Sequence, residues 1–310
     1  MKKIVFILLS LLIIFIAAVY IFIPPVKTIS YNAEVQCAGP AVQRLIIYKN
    51  NWEKWWPGKK VNDTLYSLGD FNYSIDKILP NGVETMLMGD DDMVSASITY
   101  NSIPGDSTRL GFVSNIPLSG NPFTRFFQNM ETGKVAASAA QLLDGMSAFF
   151  NKQENVYGLK INIQKVRDSS LIAVNQAMNH YPSVTEIYKT ISEIQGYIQS
   201  KGGMQADSPM LNVYTDDSIN FQVMIAIPTK GDMPSSGKFQ LKKMVLGNIL
   251  MGEVRGGITA IAEGDKQLIN YITDYHKTSP AIPYQMLITN RMQETDTAKW
   301  VTQLYYPVFY

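Results

Sequence analysis

The chain has 310 residues, 27 basic and 26 acidic side chains, two histidines and one cysteine, and 46% of it is hydrophobic. That length allows two ordinary domains, each with its own core. The near-neutral balance without a basic run argues against nucleic acid as a partner, and a lone cysteine excludes an internal disulfide framework, so Cys37 reads as a small buried residue.

Lys2 and Lys3 precede an apolar run from Ile4 to Ile23, which Pro24 and Pro25 end. At about 1.5 Å per residue, about 20 residues cover the roughly 30 Å hydrocarbon core of a bilayer. A cleaved signal peptide has a shorter apolar part, about 7–15 residues, closed by small residues. Here Ala17-Ala18-Val19 lies deep inside the run, and Glu34 ahead of Cys37 does not suit lipoprotein processing. Residues 1–25 therefore read as an uncleaved single-pass anchor. The two lysines hold its start in the cytoplasm, which places the rest in an extracytoplasmic compartment, the periplasm if the cell is Gram-negative. The 27 basic side chains less Lys2 and Lys3 leave 25 against 26 acidic ones beyond the anchor, a net charge of −1.

Beyond the anchor, a strand is predicted over 26–35 and a short helix over 40–48, with Pro40 in its first turn. Strands follow over 70–79, 83–88, 93–100 and 108–116, separated by Pro80-Asn81-Gly82, the Gly89 to Asp92 stretch and Pro104-Gly105-Asp106, which is turn chemistry. A helix over 123–150 carries Val135, Ala139, Leu142, Leu143, Met146 and Phe149 at helical spacing. Polar residues at 151–155 then break the chain in two.

The second part repeats one order, strand-strand-helix-strand-strand. The first copy has strands over 159–166 and 171–178, a helix over 183–200 with Ser183 as N-cap, then strands over 210–214 and 220–227. The second has strands over 238–244 and 249–255, a helix over 258–275, then strands over 284–288 and 301–308. Two such units pair about a pseudo-twofold axis and leave a groove between the helices.

On Pro209-Met210-Leu211-Asn212-Val213-Tyr214, the 221–228 strand, Arg255-Gly256-Gly257, Ile282-Pro283-Tyr284-Gln285-Met286 and Thr302-Gln303-Leu304-Tyr305-Tyr306-Pro307-Val308, residues 158–310 resemble the gyrase-inhibitor-like, AraC-type effector-binding domain family. Residues 26–153 resemble the START-like, polyketide-cyclase (SRPBCC) superfamily, most clearly at Trp52-Glu53-Lys54-Trp55-Trp56-Pro57-Gly58. The resemblances imply an α+β chain: a transmembrane helix, a helix-grip domain enclosing a cavity between its sheet and long helix, and a duplicated β-β-α-β-β domain.

The effector-binding family uses its groove for small, often aromatic or cationic molecules, with a glutamate in the penultimate strand of the second repeat. The matching position here is Gln285, with Met224 as its pseudo-symmetric counterpart. Neither holds a negative charge or takes a proton at neutral pH, which weakens cation binding and hydrolysis alike. Tyr214, Phe221, Trp300 and Tyr305 remain as flat walls for an apolar ligand, with Gln285 to orient it. Trp52, Trp55 and Trp56 rim the first cavity, pack a turn against the sheet, or face lipid headgroups.

Asp90-Asp91-Asp92 reads as a solvated hairpin turn, because calcium loops place ligands at alternate positions with a distant glutamate. His180 and His276 alone supply neither a zinc site nor a triad, and no phosphate-binding or dinucleotide motif occurs, so no metal and no cofactor are expected. The expected function is reversible binding of small, largely apolar or aromatic molecules by a membrane-anchored protein. The alternatives are a hydrolase acting on small electrophiles in the same groove and a structural envelope protein with vestigial pockets.

Overall fold

The computed structural model describes residues 2–89, 93–166, 170–215, 217 and 219–309. The chain is mixed α+β and forms two compact units, Met1–Val156 and Tyr157–Tyr310. Among the described residues, each unit holds one antiparallel sheet, of seven strands in the first and eight in the second.

The first unit opens with α1 (Lys2–Phe22). Among the described residues it is the one helix long and apolar enough to cross a bilayer. The sheet follows: β1 (Val26–Val35), β2 (Lys59–Lys60), β3 (Leu65–Leu68), β4 (Phe71–Leu79), β5 (Gly82–Met88), β6 (Met93–Ile103) and β7 (Ser107–Pro117), in the order β1-β7-β6-β5-β4-β3-β2. The hairpin between β6 and β7 turns on Gly105 and Asp106 at φ +87° and +56°, a region that glycine enters freely and aspartate tolerates. The register slips between Ile75 and Lys77, so β4 bulges there and the sheet twists more strongly.

The long helix α4 (Pro122–Phe150) starts where Asn121 accepts from the backbone N–H groups of Phe123 and Thr124 and Pro122 supplies a ready-made helical φ. Its buried residues Val135, Ala139, Leu142, Leu143, Met146 and Phe150 recur at helical spacing and make one apolar stripe. Buried Tyr73 of β4 donates to or accepts from Ser138 of α4 at 2.7 Å, and burial pushes its phenol up to about 12. The short helix expected over 40–48 is α2 (Gly39–Ile46), whereas sequence reasoning had no element for α3 (Trp52–Trp55) or for the short edge strands β2 and β3. The polar break at 151–155 carries α5 (Gln153–Tyr157).

The second unit contains β8 (Ile161–Lys165), β9 (Ser170–Met178), α6 (Val184–Ser200), β10 (Met210–Thr215), β11 (Phe221–Thr229), β12 (Gln240–Lys243), β13 (Asn248–Arg255), α7 (Ile258–Asp274), β14 (Tyr284–Leu287) and β15 (Val301–Val308). α6 begins at a capping box: Ser183 accepts from the Glu186 N–H while Glu186 accepts from the Ser183 N–H. The Ser183 hydroxyl, then its backbone N–H, hold the Glu186 carboxyl down at about 2. The strand order is β12-β9-β11-β10-β14-β15-β13-β8. Its two halves meet where Met210 faces Met286 and Leu211 faces Gln285.

Asp90, Asp91 and Asp92 lie outside the described residues. Among the described residues no group of His, Cys, Asp and Glu side chains is placed to hold a metal ion.

Candidate functional site

In a strand, alternate side chains point to opposite faces, so each strand of the second unit contributes to two different environments. On one face Ile172, Val174, Leu211, Val223, Ile225, Ile227 and Leu287 join Ile187, Ile191, Ile194 and Ile198 of α6 in a closed core. On the other, Leu171, Ala173, Met210 and Ala226 form a shallow apolar floor, with Met224, Met244 and Tyr284 packed around it.

The register lines this floor up in a single row across the sheet. Gln240, Ala173, Ala226, Met210, Met286 and Gln303 are successive cross-strand neighbours from β12 to β15. Two alanines side by side leave the row low, and the adjoining methionines are long, unbranched and adaptable. Above it lie two adjoining cavities, of about 690 Å³ and about 230 Å³, which share Met210, Lys243, Met244 and Tyr284 as lining.

The rings of Tyr284 and Tyr305 stack with centroids 4.9 Å apart and planes 12° from parallel. The Tyr305 hydroxyl donates to Gln303 Oε1 at 2.9 Å. Burial, and then the neighbouring Tyr305 and Asp207, push the Tyr284 phenol up. Charge enters at the larger cavity, which Lys165, Lys230, Lys243, Asp207 and Asp232 help to line. There the Ser170 hydroxyl donates to Asp232, and Lys243 Nζ sits 3.0 Å from the same carboxylate. Together they hold the Asp232 carboxyl below its ordinary value.

The residues expected to share one groove are divided between the two faces. Met224 lines the smaller cavity and Tyr305 the larger. Tyr214 alternates in step with Met210 and Asn212 on β10 but lies beyond the cavities, exposed. Phe221 packs against the helix-side core. Gln285 is opposite Leu211 and two residues from Leu287, both helix-side, so it faces away from the cavities, and its Oε1 is buried without a hydrogen-bond partner. Met224 and Gln285 therefore do not face each other, because one lies on each side of the sheet. Trp300 is buried, donates to the Glu294 carbonyl at 2.9 Å and carries the Arg291 guanidinium 4.9 Å from its ring, so it belongs to packing.

In the first unit Trp52, Trp55 and Trp56 are all buried. Trp52 and Trp56 stack at 5.3 Å, and the three indole N–H groups donate to the carbonyls of Ile46, Leu45 and Ser67. They pack the turn rather than rim a cavity. A separate cavity of about 680 Å³ is lined by sheet residues such as Phe71, Val94 and Ile116 and by Gln128, Thr132 and Val135 of α4, and none of the three tryptophans reaches it.

Sequence reasoning missed Tyr284, Met210, Met286, Met244 and the paired alanines. Their signal was the alternation itself: Met210 and Asn212 stand in step, as do Ala173 with Leu171 and Tyr284 with Met286, once the face carrying the helices is known.

No protein-family model matches the chain, and no curated protein matches it. The C-terminal half has weak, low-identity structural similarity to the C-terminal domain of EcmrR, at 12% identity and a TM-score of 0.43, covering 49% of this chain and 98% of that one. SAV2435, solved bound to tetraphenylphosphonium, is similar at 14% identity and a TM-score of 0.33, covering 48% and 94%. A hydrolase from Listeria innocua is similar at 11% identity and a TM-score of 0.39, covering 48% and 92%. At these values the likeness says nothing about function.

Proposed function

We propose that the chain is a membrane-tethered protein whose C-terminal unit reversibly binds a flat, largely apolar small molecule, neutral or weakly acidic, in the trough on the helix-free face of its sheet. The observation that carries this reading is the low row of Ala173, Ala226, Met210 and Met286 beside the stacked Tyr284–Tyr305 pair. A floor of small and soft side chains next to aromatic faces suits a planar guest, and few polar groups are needed to orient it.

The choice of charge follows from the rim. Among the described residues three lysines against two aspartates line the larger cavity, a balance that disfavours a cation and favours an acidic substituent. Among the described residues no carboxylate stands on the apolar floor to neutralise a buried cation, and Gln285 is uncharged and faces the other way. Hydrolysis needs a proton acceptor or donor near neutral pH. The Ser170 hydroxyl and Lys243 lower the Asp232 carboxyl, which makes it a weaker base, and burial makes the Tyr284 phenol a weaker acid, so binding is favoured over turnover.

The same reading takes the first unit as a helix-grip, START-like domain. What supports it is the apolar stripe of α4 sealed against the sheet, with a cavity of about 680 Å³ left between them. It takes the second unit as a duplicated effector-binding-type domain. The strand order supports this: outward from the centre run β10, β11, β9 on one side and β14, β15, β13 on the other, each half closed by the first strand of the other. α1 acts as the tether, and Lys2 and Lys3 at its start favour both units lying outside the cytoplasm.

The test is calorimetric titration of the full chain in lipid nanodiscs with 2-naphthol, 2-naphthoate and a naphthyl-trimethylammonium salt, with empty nanodiscs subtracted. Saturable one-to-one binding of the first two, and weaker binding of the cation, is expected. No saturable binding, or a preference for the cation, would overturn the proposal.

A further inference from the structure

The start of α4 presents an apolar surface to the outside rather than to the core. Phe123, Phe127 and Met130 are 47%, 64% and 61% exposed. They fall at i, i+4 and i+7, so they form one stripe along the first turns of the helix. From Pro122 to Met130 the only charge is Arg125, and Arg125 is buried, donating to the Ile23 carbonyl at the end of α1 and lying 5.4 Å from the Tyr20 ring. The first ion pair on α4, between Lys134 and Glu131, comes after the stripe has ended.

This stripe continues the surface of α1. Phe15 meets Phe123 with ring centroids 5.4 Å apart and Phe126 at 5.6 Å. Tyr20 donates to the Gly120 carbonyl at 2.7 Å. Phe15 is seven residues before Phe22, about 10 Å along the helix axis from the end of α1. A bilayer that takes in α1 to its C-terminal end therefore takes in the partners of Phe15 as well.

The connecting backbone is prepared for such a place, because polar groups in lipid must find partners within the protein. Ser119 N–H donates to Gln128 Oε1, Asn121 N–H to the Ser119 hydroxyl, and the N–H groups of Phe123 and Thr124 to Asn121 Oδ1. The Gly120 carbonyl is taken by Tyr20.

We propose that the first turns of α4, Pro122 to Met130, lie among the acyl chains of the same leaflet as the C-terminal half of α1. The protein thus stands on a two-helix foot, and Lys134 and Glu131 mark where α4 emerges at the headgroups. The proposal rests on the reading of α1 as a membrane span.

The experiment is spin-label accessibility on the full chain in lipid vesicles, in a Cys37→Ala background. Labels are placed at Phe127→Cys, at Ile13→Cys within α1, and at Asp144→Cys, which lies 17 residues, or about 26 Å, beyond Phe127 on the same helix. The Phe127 label is expected to be oxygen-accessible yet about five-fold less accessible to a water-soluble nickel chelate than the Asp144 label, matching the Ile13 label, as for helices immersed about 5–10 Å in the interface. Nickel access at Phe127 with protection at Ile13 would overturn the foot while leaving the span. Nickel access at both would overturn the span and the foot together. Exclusion of both reagents from Phe127, with coupling between labels, would show that a second copy of the chain covers the stripe and would overturn the lipid assignment.

Discussion

Ala226→Phe puts an aromatic ring into the floor of the trough. Ala226 is 3% exposed, lies between Ala173 and Met210 in the cross-strand row, and lines the cavity of about 230 Å³. The added ring occupies the volume a planar guest would fill. Losing roughly 100 Å² of ligand contact at about 25 cal/mol per Å² costs about 2.5 kcal/mol, or about 70-fold in Kd. Ile225→Val, one residue away, is the matched control, since Ile225 is fully buried on the helix-side face. It should cost about 0.5–1.5 kcal/mol of stability and leave binding alone. Titration with 2-naphthol, together with thermal melts of both variants, separates the outcomes. A folded Ala226→Phe protein that binds as tightly as the parent would mean that the guest sits elsewhere than on this floor.

Other consequences are open to measurement. Burial pushes the Asp265 carboxyl from 3.8 up to about 6, against the hydrogen bond from Tyr306 that favours the charged form. The folded state then binds the proton more tightly than the unfolded one, so stability falls as pH rises from about 3.8 to about 6 and stays low above that. Asp265→Asn should remove this dependence and stabilise at pH 7 by at most about 3 kcal/mol, less what solvent screens at this half-buried site. Melting curves at pH 4 and pH 7 that show the same difference between parent and variant would count against it. Glu186, held at about 2, contributes the opposite sense: its stabilisation is present above its ordinary value of 4.5 and is lost as pH falls toward about 2. Ser183→Ala removes the capping box and should lower stability by about 1 kcal/mol in denaturant titrations and raise the Glu186 value toward 4.5 by NMR. Leu142→Ala, under the stripe that seals α4 to its sheet, should cost about 2–5 kcal/mol, and a loss below about 1 kcal/mol would mean the helix is not a core element.

Much of the secondary structure was legible because its signals are local. Turn residues bracket β4, β5, β6 and β7, and the spacing of Val135, Ala139, Leu142 and Met146 announces α4. The short pieces were not, since β2 and β3 exist by pairing with their neighbours and Trp52–Trp55 folds by burying its rings. The site was harder for a different reason. Alternation along β10 and β14 separates Met210 from Leu211 and Tyr284 from Gln285, but it does not say which set lies under α6 and α7. That choice is made by how the helices cross, a non-local fact, so Phe221 and Gln285 were grouped with Met224 and Tyr305 although they face the other way. Trp300 was offered to a ligand for its flat ring, and the protein itself fills that role with Arg291.

The most direct measurement is photo-crosslinking of the full chain in nanodiscs with a neutral naphthyl diazirine, mapped by peptide mass spectrometry. Adducts are expected on Met210, Met224, Met244 or Tyr284 and should vanish in excess 2-naphthol. Adducts confined to the helix-side face, at Phe221, Gln285 or Tyr188, would place the guest under the helices and rule out the trough.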